Sequence, residues 1–162
     1  MKNRMQAGFT LVELIVVIVI LGILAAVALP RFMGLEREAR VAAVRSMAGT
    51  MLSAANMARG VCQAQGCANG APGIPINGVN IVFQNGYPNN ASIRALIQST
   101  EGFNTNAAGN QMIKRGGANN NCFVQYNAAP ANGQPTITYQ GGAQITDQAS
   151  ENAVLANLRA AC

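Results

Sequence analysis

The chain has 162 residues, four cysteines, no histidine and a formal net charge of +5, with only 10% charged and 5% aromatic residues. A length of this order suits one domain plus an appendage. Six carboxylates without a histidine leave little from which to assemble a hydrolytic site or a calcium cage. The positive excess describes a topology before it describes a nucleic-acid footprint. Lys2 and Arg4 precede a long apolar run, and Arg31, Arg37, Arg40, Arg45 and Arg59 lie just beyond it.

In chain order, residues 1–8 are polar and basic. Phe9 to Leu29 then forms 21 mostly apolar residues with one charge, Glu13. About 20 such residues cross a bilayer as a helix, and the basic residues ahead of them favour keeping Met1 to Gly8 cytoplasmic. An ordinary secretory signal has a shorter apolar core; Ala25-Ala26-Val27-Ala28 is the one stretch that resembles its cleavage site. Glu13 is expensive in hydrocarbon without a partner, and snorkelling to the interface is the bland reading. Gly22 and Pro30 weaken the helix.

From Arg31 to about Arg59 the pattern is amphipathic, with Phe32, Leu35, Ala39, Ala42, Ala43, Met47, Met51, Ala54 and Ala58 at steps of three and four. Glu36 and Arg40 form an i,i+4 pair on the other face. A helix over residues 9–59 would be a rod of roughly 75 Å at 1.5 Å per residue, and assembly is the reason to build one. Residues 60–80 read as a loop pinned by a disulfide.

Asn80–Phe83, Cys122–Tyr126 and Thr136–Tyr139 are strand candidates, the last two joined as a hairpin. Ser92–Ser99 is a short helical pattern, and Asp147–Ala161 a terminal helix with Val154, Leu155 and Leu158 inward. Four cysteines allow three pairings; Cys62–Cys67 with Cys122–Cys162 is the simplest, and disulfides suit a small exported head better than a zinc site without histidine. Asp147 and Glu151 are explained by helix capping rather than by a catalytic carboxylate pair. Lys114-Arg115 is a solvated turn before it is a phosphate contact.

Gly8-Phe9-Thr10-Leu11-Val12-Glu13, followed by the apolar helix, resembles the class III signal of type IV pilins and the related pseudopilins. The resemblance implies cleavage after Gly8 by a prepilin peptidase and N-methylation of Phe9. Once Gly8 is removed, the Phe9 amine lies one turn from Glu13 and can pair with it within the chain or with the Glu13 of a neighbour. The resemblance implies that the second contact sets filament register. It also implies that helicity is lost between Gly22 and Pro30 in the filament, the isolated subunit keeping a continuous, kinked helix. Pro30-Arg31-Phe32 to Leu35, together with Gly86-Tyr87-Pro88 and the helical pattern after it, is similar to the mannose-sensitive haemagglutinin branch.

By that resemblance the fold is α+β, a long N-terminal helix packed on a small antiparallel sheet head, with Cys62, Cys67, Cys122 and Cys162 in disulfides. Residues 1–8 are then the leader, 9–29 the transmembrane and assembly half of the helix, 30–59 its amphipathic half and 60–162 the head. The expected function is structural, without enzyme activity, cofactor or metal. The subunit waits in the inner membrane and polymerises at the assembly platform into a surface filament for adhesion, motility or DNA uptake, with DNA or a host surface as the outside partner. The alternatives are a type II secretion pseudopilin or minor pilin, and a monomeric membrane-anchored adhesin. A sparse acid count disfavours the calcium-dependent major pseudopilins, and Glu13 disfavours the plain anchor.

Overall fold

The computed structural model describes residues 9–67, 69–117 and 120–162. The chain divides into two compact units, Met1–Glu36 and Arg37–Cys162. Helix α1, Leu11–Gln65, contributes to both. In the first unit it runs without a break through Gly22 and up to Pro30, which lies inside it. The single chain is therefore helical across both residues, and the loss of helicity is expected of the filament alone. One proline removes one backbone donor, and the flanking turns hold the helix together around the missing bond. A melting of residues 22–30 remains a proposal about the filament.

In the second unit α1 buries Val41, Val44, Met47, Ala48, Met51, Ala54, Ala55, Ala58 and Cys62. These recur at three and four residues, as a helix lying on a core requires. The buried stripe keeps Met47, Met51, Ala54 and Ala58 of the predicted one and departs from it before Met47. Val41 and Val44 point inward while Ala39 and Ala42 are exposed, so the branched side chains, which bury more apolar surface than alanine, take the inner face.

The helix also runs past Gly60, where the sequence pattern seemed to end. It stops at Gly66, which adopts φ +68°, and Cys67 N–H donates to Cys62 O at 3.0 Å. This is a Schellman stop with glycine at the left-handed position. The Cys62–Cys67 disulfide closes over the same turn, Cα to Cα 4.9 Å. Cys62 thus belongs to the helix, not to a loop.

The head holds two antiparallel sheets. The first has the order β1 (Gly70–Ile76), β2 (Val79–Gln84), β3 (Tyr87–Pro88), and the second is a meander of β4 (Phe103–Thr105), β5 (Gln111–Lys114), β6 (Phe123–Asn127) and β7 (Thr136–Tyr139). Strand β6 alternates, with Val124 and Tyr126 buried. Register pairs Val124 with Met112 and Tyr139, and Tyr126 with Ile137. These side chains join Val44, Met47 and Met51 of α1 and Val154 and Leu158 of α2 (Gln148–Ala161) in one core. A smaller core gathers Ala58, Cys62, Ile81 and Phe83 over the first sheet. The predicted Ser92–Ser99 helix is a single 3-10 turn, Ile93–Leu96, which buries Ile93.

Candidate functional site

The N-terminal end of α1 is built by Thr10 and Glu13. Thr10 N–H and Thr10 Oγ1 both donate to Glu13 Oε2, at 2.9 and 2.7 Å, and Glu13 N–H donates back to Thr10 Oγ1 at 3.3 Å. This is a reciprocal capping box, and it sets the carboxylate against the positive end of the helix dipole. In the uncleaved chain Glu13 is therefore partnered, and its partner is Thr10. Sequence reasoning passed over Thr10 although Thr-x-x-Glu ahead of an apolar run is the signal for such a cap. Phe9 is 86% exposed. Gly8 lies outside the described residues, so the cleavage point itself is not described.

Beyond the cap, no large apolar residue from Leu11 to Leu29 is buried within the chain. Even Ile15, the best covered, is 46% exposed. An 18-residue window of this helix has a mean hydropathy of 3.1. The apolar residues surround the helix on every side. Such a helix is covered by lipid, by other chains, or by both in turn. Nothing lies within 4 Å of a Cβ built on Gly22, so the glycine is not there to admit a neighbour from its own chain.

Arg45 pairs with Glu151, and Arg159 Nε donates to Glu38 Oε1 at 2.7 Å, so two ion pairs tie α2 to α1. The Arg159 hydrogen bond holds the Glu38 carboxyl below its ordinary value. Asp147 caps α2, accepting from Ser150 N–H at 2.8 Å, and that backbone bond lowers its carboxyl in the same way. The pairing is reciprocal, with Asp147 N–H donating to Ser150 Oγ at 2.9 Å. Cys122 and Cys162 are joined, Cα to Cα 4.7 Å, and lock the end of α2 to the start of β6. A side chain at Gly117 would collide with Cys122, so the chain passes the disulfide there only as glycine.

Lys114 Nζ sits 4.9 Å over the Phe103 ring, and Arg115 Nε donates to Asn104 Oδ1 at 3.2 Å; both side chains rest on β4. Among the described residues no group of three or more His, Cys, Asp or Glu side chains could hold a metal ion.

Comparison with known proteins decides what this arrangement belongs to. The prokaryotic N-terminal methylation motif matches residues 3–29. Fimbrial protein EcpC of Eikenella corrodens is 34% identical over 128 residues, 76% of this chain and 82% of that protein. The chain belongs to the type IV pilin family. As a pilin it is a structural protein, not an enzyme, and its apolar helix with the methylation motif is consistent with a membrane-anchored precursor of a filament subunit.

Further pilin relatives include the type IV narrow pilus major component PilA5 of Thermus thermophilus, 53% identical over 47 residues, 29% of this chain and 40% of that protein. Type II secretion system core protein G of Pseudomonas aeruginosa is 42% identical over 57 residues, 35% of this chain and 40% of that protein. No solved structure shows significant similarity to the pilin. The finer likeness to the mannose-sensitive haemagglutinin branch is not among these names.

Proposed function

We propose that this pilin is stored in the inner membrane through residues 9–29 and polymerises through the same helix into a surface filament. Prepilin peptidase cuts between Gly8 and Phe9 and methylates Phe9. Assembly at the platform then exchanges lipid for neighbouring helices around the apolar surface. The observation that carries the reading is the helix from Leu11 to Leu29, apolar all round and uncovered by its own chain, with one carboxylate in its first turn. In a passive anchor that carboxylate does no more than cap its own helix through Thr10, a task that needs no charge inside hydrocarbon. In a polymer it defines one height at which a neighbour's amine fits.

Glu13→Val tests this. The variant is expected to be inserted and processed while sheared surface filaments disappear. Filaments at the wild-type level would sink the claim. A second reading, a subunit of the short filament of a type II secretion system, is favoured by the likeness to core protein G. Deleting the gene separates the two: loss of surface fibres supports the pilus, and loss of protein secretion with fibres intact supports the secretion filament.

A further inference from the structure

The head carries a recess that filament assembly leaves unexplained. It measures about 530 Å³ and is lined by Arg59, Asn85, Asn132, Gly133 and Gln134. The last turns of α1, the Asn85-Gly86 turn between β2 and β3, and the loop from β6 to β7 form its walls. The lining holds no apolar side chain and no carboxylate. Its size falls in the range of small-molecule sites, roughly 300–1,000 Å³.

Arg59 forms the charged wall. Its guanidinium lies over the Tyr87 ring, 4.5 Å from the centroid, and donates a hydrogen bond to Tyr87 Oη. Tyr87 is buried beneath it, so the guanidinium is half-buried on a neutral aromatic support. The ion pairs Arg45–Glu151 and Arg159–Glu38 do not reach it. A stacked guanidinium keeps its planar fork oriented, which suits two-point binding of a carboxylate.

The opposite wall is equally fixed. Gly133 N–H donates to Pro130 O at 3.1 Å, and a Cβ on Gly133 would meet Pro130 Cγ at 2.6 Å. Asn132 stands beside it at φ +60°. Asn85 ties this loop to the first sheet, donating to Ala129 O at 2.9 Å. The loop backbone therefore holds Asn132 and Gln134 at the recess, where both side chains are exposed and, among the described residues, neither amide is used in a hydrogen bond. The site offers one cationic fork beside neutral donors and acceptors. That is the complement of a carboxylate flanked by hydroxyls.

The pilin itself supplies few carboxylates for such a site. Glu13 and Asp147 cap helices, Glu38 and Glu151 are in ion pairs, and Glu36 has a partner too, which leaves Glu101, exposed on the head. Against six acidic residues the chain carries eleven basic ones. A neighbouring copy therefore offers one uncommitted side-chain carboxylate on a chain of net charge +5, and the amides beside Arg59 can both donate to and accept from hydroxyls.

We propose that the recess binds acidic saccharides, with a sugar carboxylate on Arg59 and sugar hydroxyls on the amides of Asn132 and Gln134. The test uses the full chain in detergent micelles, so loss of filament assembly would not affect it. The probe is a fluorescently labelled hyaluronan tetrasaccharide, with uncharged chitotetraose and acetate as controls. Saturable binding is expected, weakened about tenfold or more by Arg59→Gln, as for a lost charged hydrogen-bonded pair. The double variant Asn132→Ala/Gln134→Ala, which touches no core residue, is expected to weaken it severalfold with an unchanged melting curve. Chitotetraose should compete at least tenfold less well. No saturable binding, equal competition by chitotetraose, or wild-type affinity in both variants would overturn the proposal. Displacement by acetate as effective as by unlabelled hyaluronan tetrasaccharide would reduce the recess to an anion site and overturn its saccharide assignment.

Discussion

Val17 and Met51 belong to the same helix, yet Val17 is 49% exposed and Met51 is completely buried. Around Met51 the chain supplies its own cover: the four-stranded sheet, a second helix and the Cys122–Cys162 disulfide. Around Val17 it supplies none. The difference lies in what each stretch is matched to. Residues 41–62 carry an apolar stripe with polar residues opposite, the pattern of a helix that packs on one side. Residues 11–29 carry apolar side chains all round, so they are complete only in lipid or among other helices. Folding ends in the head, and the proposed assembly begins at the helix it leaves bare.

That contrast predicts effects confined to one region. The largest is expected from Cys122→Ser, which opens a loop of 40 residues. The entropy of such a loop corresponds to about 4 kcal/mol. The head should melt roughly 15 °C lower, while membrane insertion is unchanged. A melting point within a few degrees of wild type would mean that the head does not depend on this tie.

Val17→Asp should do the reverse, costing about 3 kcal/mol of membrane insertion with the head's melting curve intact. A shift in that curve would contradict the independence of the two stretches.

The smallest effect is on acid stability. Glu38 and Asp147 titrate below their ordinary values in the folded head, the first through its hydrogen bond from Arg159 and the second through the Ser150 backbone N–H. A depressed carboxyl stabilises fully above its unfolded value, about 4, and that contribution is lost as pH falls through the folded value. Thermal stability should therefore be level from pH 7 to about 5 and fall below 4. Because both groups are exposed, the slope should be shallow and salt-sensitive, and Glu38→Gln or Asp147→Ala should flatten it further. An unchanged slope in both variants would remove these groups from the acid response.

The elements with strong internal periodicity could be read from the residues alone: α1, β2, β6, β7 and α2. Others could not, for physical reasons. Strand β1 contains Pro75 and is tolerated because it is an edge strand paired only with β2. Its Gly73 permits close approach, since a Cβ there would lie 2.6 Å from Ile81 O. Strands β4 and β5 are three and four residues long and contain Asn104 and Gln111. Their extended form comes from pairing with β6 and each other rather than from local preference.

At the site, the fork between cap and contact was hidden. Glu13 advertises itself by its charge, whereas Thr10 looks like any polar residue at a boundary until its spacing of three is noticed. The helix end at Gly66 was obscured by an earlier glycine, Gly60, which the helix simply tolerates.

The central claim is that the bare helix is the filament's core and that the leader is gone before it serves. Intact-mass analysis of the subunit in purified surface fibres, imaged by electron microscopy, tests it most directly. The account predicts fibres whose subunit begins at methylated Phe9 and contains two disulfides. Fibres whose subunit retains residues 1–8, or a cell surface where the processed chain occurs only as single molecules, would contradict it.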